Sequence, residues 1–549
     1  SRFEDIQFKR RNVLSTLILA ECLERKGRFL ENIVNGVWAT CEESFWGVPA
    51  HIPMQKDGKA GLPDVTEPIV DLFAAETGSL LSWAYYLLRE PLDSVSPLIN
   101  DRIIHEVNRR ILSPNLERND FWWMGYGDRK VNNWNPWICS NWLIAALLVE
   151  QDKERKKQAL HKIVECLDYF LNEYPEDGGC DEGPSYWNRA GGALFDCLEL
   201  LYGASKGSYN VFNEQLVKNI GAYIYYAHID KDYFIDFADA SARVNINPTL
   251  VYNFGKRTGN EEMMNLAVYA ASAQKMEEGK ISGNLYHMGN TLFNARELMG
   301  AETRALQPKD FWLPGLQVFG AREKQGSPAG FFLAGKGGHN AESHNHNDVG
   351  SFILYYDGKP VVIDIGVETY TSKTFSANRY EIWTMQSGYH NLPTVNGYGQ
   401  SPGEQYAAKD VLFKAGNREA VFSLDIAGAY PSEAGILKWD RKLTLKRDGA
   451  FRLMDDYALK AVSSELFFTL MTPCLPTVKE AGKLLLRGDG FEAVVQYDQR
   501  KMEPVTEEKI IEDERLKHSW KDKLYRVKFI LKNPRQKDAI GLTIKAAKQ

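Results

Sequence analysis

Near Gln307 the chain changes its hydrophobic period, and that change dictates its architecture. Before it, the stretches 13–28, 69–88, 142–148, 157–171 and 216–227 place apolar residues at helical spacing. Loops rich in Gly, Pro, Asn and Trp join them. After it come short β-branched or aromatic runs at 331–334, 351–356 and 360–365, with Asp357-Gly358 set as a hairpin turn between the last two. Runs at 441–446, 451–455, 466–471, 493–497 and 525–532 continue the pattern. At 549 residues the chain exceeds the roughly 250–300 at which a single core stops growing. The expectation is an α+β multidomain protein: an N-terminal (α/α) toroid or helical array over 1–307, then a C-terminal antiparallel β domain, of which a β-sandwich is one form, over 308–549. The charged segment 503–523 reads as a solvated loop or hairpin edge.

Composition removes several classes. Hydrophobic residues at 44% and charged residues at 25% are ordinary for globular chains, which excludes disorder and collagen-like repeats. With 66 basic and 72 acidic residues the net charge is −6, so no nucleic-acid partner is expected. The longest apolar runs, such as that at 142–149, are shorter than the about 20 residues a bilayer span requires, so no membrane span is expected. Seven scattered cysteines without a CxxC fit neither a disulfide framework nor a zinc ribbon. The opening Ser1-Arg2-Phe3-Glu4-Asp5 is polar and does not read as a signal peptide.

Four of the ten histidines, His339, His344, His346 and His390, fall within about one tenth of the chain. In an extended segment His344 and His346 would project to one side. Asp364 ends the run that follows the Asp357-Gly358 turn, which folds it back toward His346. Imidazole nitrogens and a carboxylate are the usual donors for a divalent ion, so His346, Asp364 and His390 form a candidate metal site. A polar, hydrogen-bonded loop cluster is the plainer reading of the same residues.

Aromatic residues concentrate in the helical half: Trp122, Trp123, Trp134, Trp137, Trp142 and Trp187. Toroid core is one reading. Sugar stacking is the other, and it gains from the interleaved amides and carboxylates of Asn132-Asn133-Trp134-Asn135 and of 177–189, since buried amides need partners. A phosphate loop is excluded, because Gly337 follows Gly335-Lys336 where Ser or Thr is needed. The Gly-x-Ser-x-Gly match at 203–207 follows a helical stretch and lacks the strand of a nucleophile elbow. Asp177, Asp181 and Glu182 keep a glycoside hydrolase with paired carboxylates open.

Taken together, Asp-Gly-x-x-x-Glu-Gly-Pro-Ser-Tyr-Trp at 177–187 and His344-Asn345-His346-Asn347-Asp348-x-Gly350-x-Phe352 resemble the heparinase II/III-like polysaccharide lyases. That superfamily also includes alginate lyases and dermatan sulfate epimerases. The resemblance covers most of the chain and strengthens the metal site. It implies a structural metal, usually Zn2+, at His346, Asp364 and His390, bracing the active site from below. It implies β-elimination at a uronic acid, with Tyr186 matching the catalytic tyrosine and His344 the histidine facing substrate. Asn132 or Asn133 matches the group that neutralises the uronate carboxylate. The usual Asn-His pair is replaced here by Asn133-Trp134, so Asn141 is an alternative. Tyr380 stands where some relatives carry a second catalytic tyrosine. Trp134, Glu182, Trp187, Arg189, Arg379 and Tyr233 are candidate substrate-binding residues, and Tyr233 also rivals Tyr186. Arg189 or Arg379 would hold a carboxylate in bidentate fashion.

The expected function is therefore a polysaccharide lyase acting on a uronate-containing polysaccharide or oligosaccharide, most simply a glycosaminoglycan. The neutral Asn-Trp segments favour hyaluronan or chondroitin over heparin. A uronate C5-epimerase uses the same proton abstraction and is the runner-up; a glycoside hydrolase or a non-catalytic carbohydrate binder follows. The resemblance further implies a periplasmic or secreted protein.

Overall fold

The computed structural model describes residues 2–56, 61–276, 283–302, 304, 307–462 and 465–547. Helices dominate its first three hundred residues, among them Leu72–Val95, Trp134–Leu148, Lys153–Glu173, Gly191–Ala204, Gln215–Ala227 and Pro248–Thr258. Local chemistry sets their starts. Asp71, Asp152, Asn247, Asn260 and Asn284 each accept a backbone N–H of the first turn, satisfying a donor that has no partner inside the helix. Trp134–Leu148 and Gly191–Ala204 are buried on nearly all sides, as befits inner helices of a toroid. Trp123, Trp142 and Trp187 are wholly enclosed there, and truncating any one to alanine would cost about 3–5 kcal/mol. The expected (α/α) toroid and antiparallel β domain are what the chain forms.

A short hairpin, His228–Asp230 with Tyr233–Phe234, interrupts the helices and leads into a loop at 235–242. Helix Leu285–Gly300 is the last of the series, and strand Asp310–Leu313 opens a five-stranded antiparallel sheet. That sheet continues through Val318–Arg322, Phe331–Lys336, Phe352–Tyr356 and Lys359–Val362. Asp357 and Gly358 both take positive φ, 49° and 72°, which is the backbone a two-residue hairpin requires. A four-stranded sheet, an eight-stranded sheet and a two-stranded pairing of His339–Asn340 with Gly403–Ala407 follow in the β half. One apolar core joins the three larger sheets, with Phe319 and Phe331 from the first, Phe468 and Phe529 from the second and Phe422 and Leu443 from the third.

Segment 503–523 takes the second of its two readings, a hairpin edge, its strand pairing antiparallel with Lys523–Leu531. Residues Met502–Ile510 form the edge strand of the four-stranded sheet, and Glu514–Trp520 form a helix capped by Asp513. Alternating charge hides this strand because one face of an edge strand is solvated. No helix among the described residues is long and apolar enough to cross a membrane.

Candidate active site and metal centre

Two short segments build the site. Gly183 (φ 85°) turns the chain before Pro184–Trp187, and a Cβ there would lie 2.7 Å from the Ala240 side chain. This close approach sets Tyr186 against the loop at 235–242, where the Ser185 hydroxyl accepts the backbone N–H of Ser241. The second segment follows the two-residue strand His339–Asn340 and runs through Ser343–Asp348 in turns. It is not extended, since His344 adopts a left-handed φ of 56°, yet His344 and His346 both turn to one carboxylate, that of Asp239.

Both histidines converge on Asp239, which is fully buried. Its Oδ2 lies 2.7 Å from His344 Nδ1 and accepts the Tyr370 hydroxyl at 3.0 Å. Its Oδ1 lies 3.0 Å from His346 Nε2 and accepts Arg379 at 2.7 Å. Burial alone would raise this carboxyl, but the bonds from both histidines and the Arg379 charge hold it well below the usual range. The Tyr186 hydroxyl meets that of Tyr370 in a short hydrogen bond. Since Tyr370 donates to Asp239, its oxygen is left to accept from Tyr186.

Electrostatics divide the roles. Burial works against the imidazolium of His344, yet hydrogen bonds to Asp239 and to Glu182, 3.3 Å from Nε2, raise it to about 9. At neutral pH His344 is a cation. Burial pushes the Tyr186 phenol up to about 12, opposed by the Tyr370 hydrogen bond and the Arg515 charge. Tyr370 is pushed up by burial and by the negative charge of Asp239. Asp181 is raised to about 6 by burial and its neighbour Glu182.

Of the residues expected from sequence, Tyr186, His344, Glu182 and Arg379 fall in this cluster. Tyr380 touches its rim, accepting from the Asn345 amide at 3.2 Å. Asn132 and Asn133 lie at the start of helix Trp134–Leu148, where the Asn132 side chain accepts the Trp134 N–H. Neither is hydrogen-bonded to the Tyr186 cluster, and Asn141 is spent on the Trp137 carbonyl. Trp134 stacks obliquely on His51 and Trp122. Arg189 lies 4.0 Å over the Trp137 ring and pairs with Glu76, which also accepts the Trp137 indole N–H. Arg189 and Asn188 form part of the wall of a cavity of about 770 Å³, together with Arg11, Glu76, Trp83 and His287.

Two expectations change. Trp187 is fully buried, its indole donates to the Ile220 carbonyl at 2.7 Å and its ring stacks on Phe254. It is core and offers no face to a sugar. Tyr233 gives its hydroxyl to Arg243, itself paired with Asp232, and shares no contact with Tyr186. Three members of the site escaped the sequence reading: Asp239, Tyr370 and Arg515. Arg515 comes from helix Glu514–Trp520, donates to the Asp239 carbonyl and lies 5.2 Å over the Tyr370 ring. The pair of buried acids in Asp236-Phe237-Ala238-Asp239 was the one local signal available.

Below Asp239, His346, Asp364 and His390 bring ligand atoms within 4.8 Å of one another, all three fully buried. Their hydrogen bonding suits a metal. His346 turns Nε2 to Asp239 and leaves Nδ1 buried without a partner. His390 turns Nε2 to the Thr384 carbonyl at 3.1 Å and sets Nδ1 2.9 Å from Asp364 Oδ2. Each imidazole thus has one nitrogen fixed by an outer acceptor and the other facing the cluster, as metal-bound histidines do.

Residues 318–544 match the family described as heparinase II/III-like, C-terminal. No curated protein matches the chain in sequence. Among solved structures, a mutant heparan sulfate lyase from Pedobacter heparinus superposes with a TM-score of 0.67 at 14% identity, covering 98% of this chain and 76% of its own. A heparinase III superposes at 0.69 and 15% identity, covering 98% and 77%. A chondroitin AC lyase from Streptomyces coelicolor, solved with chondroitin sulphate, superposes at 0.54 and 10% identity, covering 98% and 74%. The fold is therefore that of these proteins, and residues 318–544 are similar to the heparinase II/III-like C-terminal domain.

Proposed function

We propose that the protein is a polysaccharide lyase that cleaves a uronate-containing glycosaminoglycan by β-elimination. The hydrogen-bonded set Tyr186–Tyr370–Asp239–His344 carries this reading. In the reaction the Tyr186 phenolate takes the C5 proton of the uronate. The C5 electron pair becomes the C4–C5 double bond, the C4–O4 bond breaks, and the departing O4 takes the proton back from Tyr186. The phenolate is thereby restored. The Arg515 charge lowers the cost of that phenolate, as does the Tyr370 hydroxyl once its proton turns from Asp239 to Tyr186, and the His344 imidazolium neutralises the uronate carboxylate so that the C5 proton becomes acidic. Asn132 or Asn133 assists by hydrogen bonding, and Arg189, Trp134 and the adjoining cavity hold neighbouring sugars.

Hyaluronan or chondroitin is the proposed substrate class, because the cavity balances Arg11 and Arg189 with Glu76 and amides instead of presenting the dense basic lining a highly sulfated chain needs. His346, Asp364 and His390 would hold Zn2+, which supplies fixed positive charge that braces His346 under the site. The partition at residue 307 and a periplasmic or secreted location belong to the same reading. The test is ultraviolet absorbance of the conjugated unsaturated uronate across hyaluronan, chondroitin, dermatan, heparan and alginate. A rising signal on one polymer is expected. New reducing ends without absorbance would mean hydrolysis, and solvent deuterium at C5 without either would mean epimerisation.

A further inference from the structure

Three neighbouring helices, Leu72–Val95, Trp134–Leu148 and Gly191–Ala204, are tied together at their starts. Glu76 accepts the Trp137 indole N–H and pairs with Arg189, which follows Tyr186 by a single turn. From Arg189 the rings of Trp137, Phe73, His51, Trp134 and Trp122 run on as an unbroken, half-buried row. Neighbouring centroids in that row lie 4.6 to 6.2 Å apart. His51 is the one ring in it that can accept a hydrogen bond, since indole only donates and phenyl does neither.

His51 is fixed in one orientation. Its Nδ1 lies 2.6 Å from Oδ2 of Asp71, which is fully buried. The same oxygen accepts the Val48 N–H, and Oδ1 accepts the Ala74 N–H of the first helical turn. Asp71 is an acceptor toward every neighbour, so Nδ1 carries the proton and Nε2 keeps the lone pair. Phe73 lies parallel to the imidazole and Trp134 leans on it. The side chain is only 20% exposed, yet Nε2 has no hydrogen-bond partner among the described residues. Helix capping does not require this histidine, because the other carboxylate oxygen holds Ala74. A carboxylate-fixed, ring-clamped imidazole with one free acceptor is preorganised for an O–H donor.

We propose that His51 is a specificity-determining residue: its Nε2 accepts a hydroxyl of the sugar that stacks on Trp134, away from the scissile bond. The inference rests on the lyase reading of Tyr186 and extends it to a substrate long enough to reach past Arg189. An acceptor nitrogen favours a hydroxyl at that sugar and disfavours a sulfate or carboxylate, whose oxygens also only accept.

Two substitutions separate binding from support. Asn places its amide where Nδ1 stands and keeps a donor to Asp71; Gln reaches the place of Nε2 and keeps an outward acceptor. On oligosaccharides of the polymer that gives the ultraviolet signal, His51→Asn is expected to raise KM about 5- to 10-fold, with kcat within about twofold. The rise should appear on octasaccharides and vanish on the shortest chain that is cleaved. His51→Gln should recover most of the loss. The opposite order, with Asn like the parent and Gln impaired, would mean that the imidazole only supports Asp71 and would overturn the proposal. So would an equal KM rise at both lengths, an unchanged KM in His51→Asn, or a fall in kcat alone. If no polymer gives absorbance, the lyase reading falls by itself, and calorimetric binding of a hyaluronan octasaccharide still reads His51. Affinity about 5- to 10-fold weaker in His51→Asn sustains the contact. Equal affinity, or no binding by the parent, overturns it.

Discussion

Asp239 and His346 are joined by a 3.0 Å contact between Oδ1 and Nε2, and this one contact links the candidate metal centre to the candidate active site. The other oxygen of Asp239 holds His344 and Tyr370. Asp239→Asn would leave Arg379 and His344 facing an amide in a buried setting. A loss of about 3–5 kcal/mol in stability is expected, with turnover abolished and metal affinity lowered about 10-fold or more. Chemical denaturation and metal titration would check it; unchanged affinity would show that the two centres are independent.

Tyr186→Phe should abolish elimination while leaving the melting temperature within a few degrees, because the phenol makes a single hydrogen bond, to Tyr370. Tyr370→Phe should retain slow turnover. Its hydroxyl helps hold the Tyr186 phenol down from its buried value, so its loss should move the alkaline dependence of the rate upward. Retained activity in Tyr186→Phe would transfer the role to Tyr370 or Tyr380.

The two shifted groups fix the pH profile. The reaction needs Tyr186 deprotonated, with a pKa of about 12, and His344 protonated, with a pKa of about 9. Below pH 9 His344 is charged and the phenolate fraction rises about tenfold per unit. Above 9 the loss of imidazolium cancels that gain. kcat/KM should therefore climb to about pH 9 and then level. A bell centred below pH 7 would sink the assignment, and His344→Gln should remove the break near 9 along with most of the activity.

Stability should carry the mark of His344 as well. Its pKa is raised above the ordinary value of about 6.5, so the folded state gains from its charge fully below that pH and loses the gain as pH rises through about 9. The melting temperature of the parent should fall relative to His344→Gln across that window. Parallel curves would mean that the imidazole is neutral in the fold.

His346→Ala should lose bound metal and thermal stability together, and a chelator should then leave the variant's melting temperature unchanged while lowering that of the parent. Equal metal content in the two proteins would dispose of the His346–Asp364–His390 site.

The sequence by itself determined the order of architectures, because helical and alternating periods are local properties of the chain. It also carried the His346–Asp364–His390 set, since a hairpin turn at Asp357-Gly358 folds Asp364 back and leaves short loops to span. What it read as an extended pair, His344 and His346, sits in turns with a positive φ at His344, and the two imidazoles meet the two oxygens of Asp239. Tertiary structure alone decided the rest. Asp239, Tyr370 and Arg515 reach the site across sequence separations of 105 to 276 residues, between segments that no local spacing relates. Trp187, beside Tyr186 in the chain, points the other way into Phe254, because residues adjacent on a helix face different sides. A motif names its members, but which of them face the cleft depends on what packs behind them.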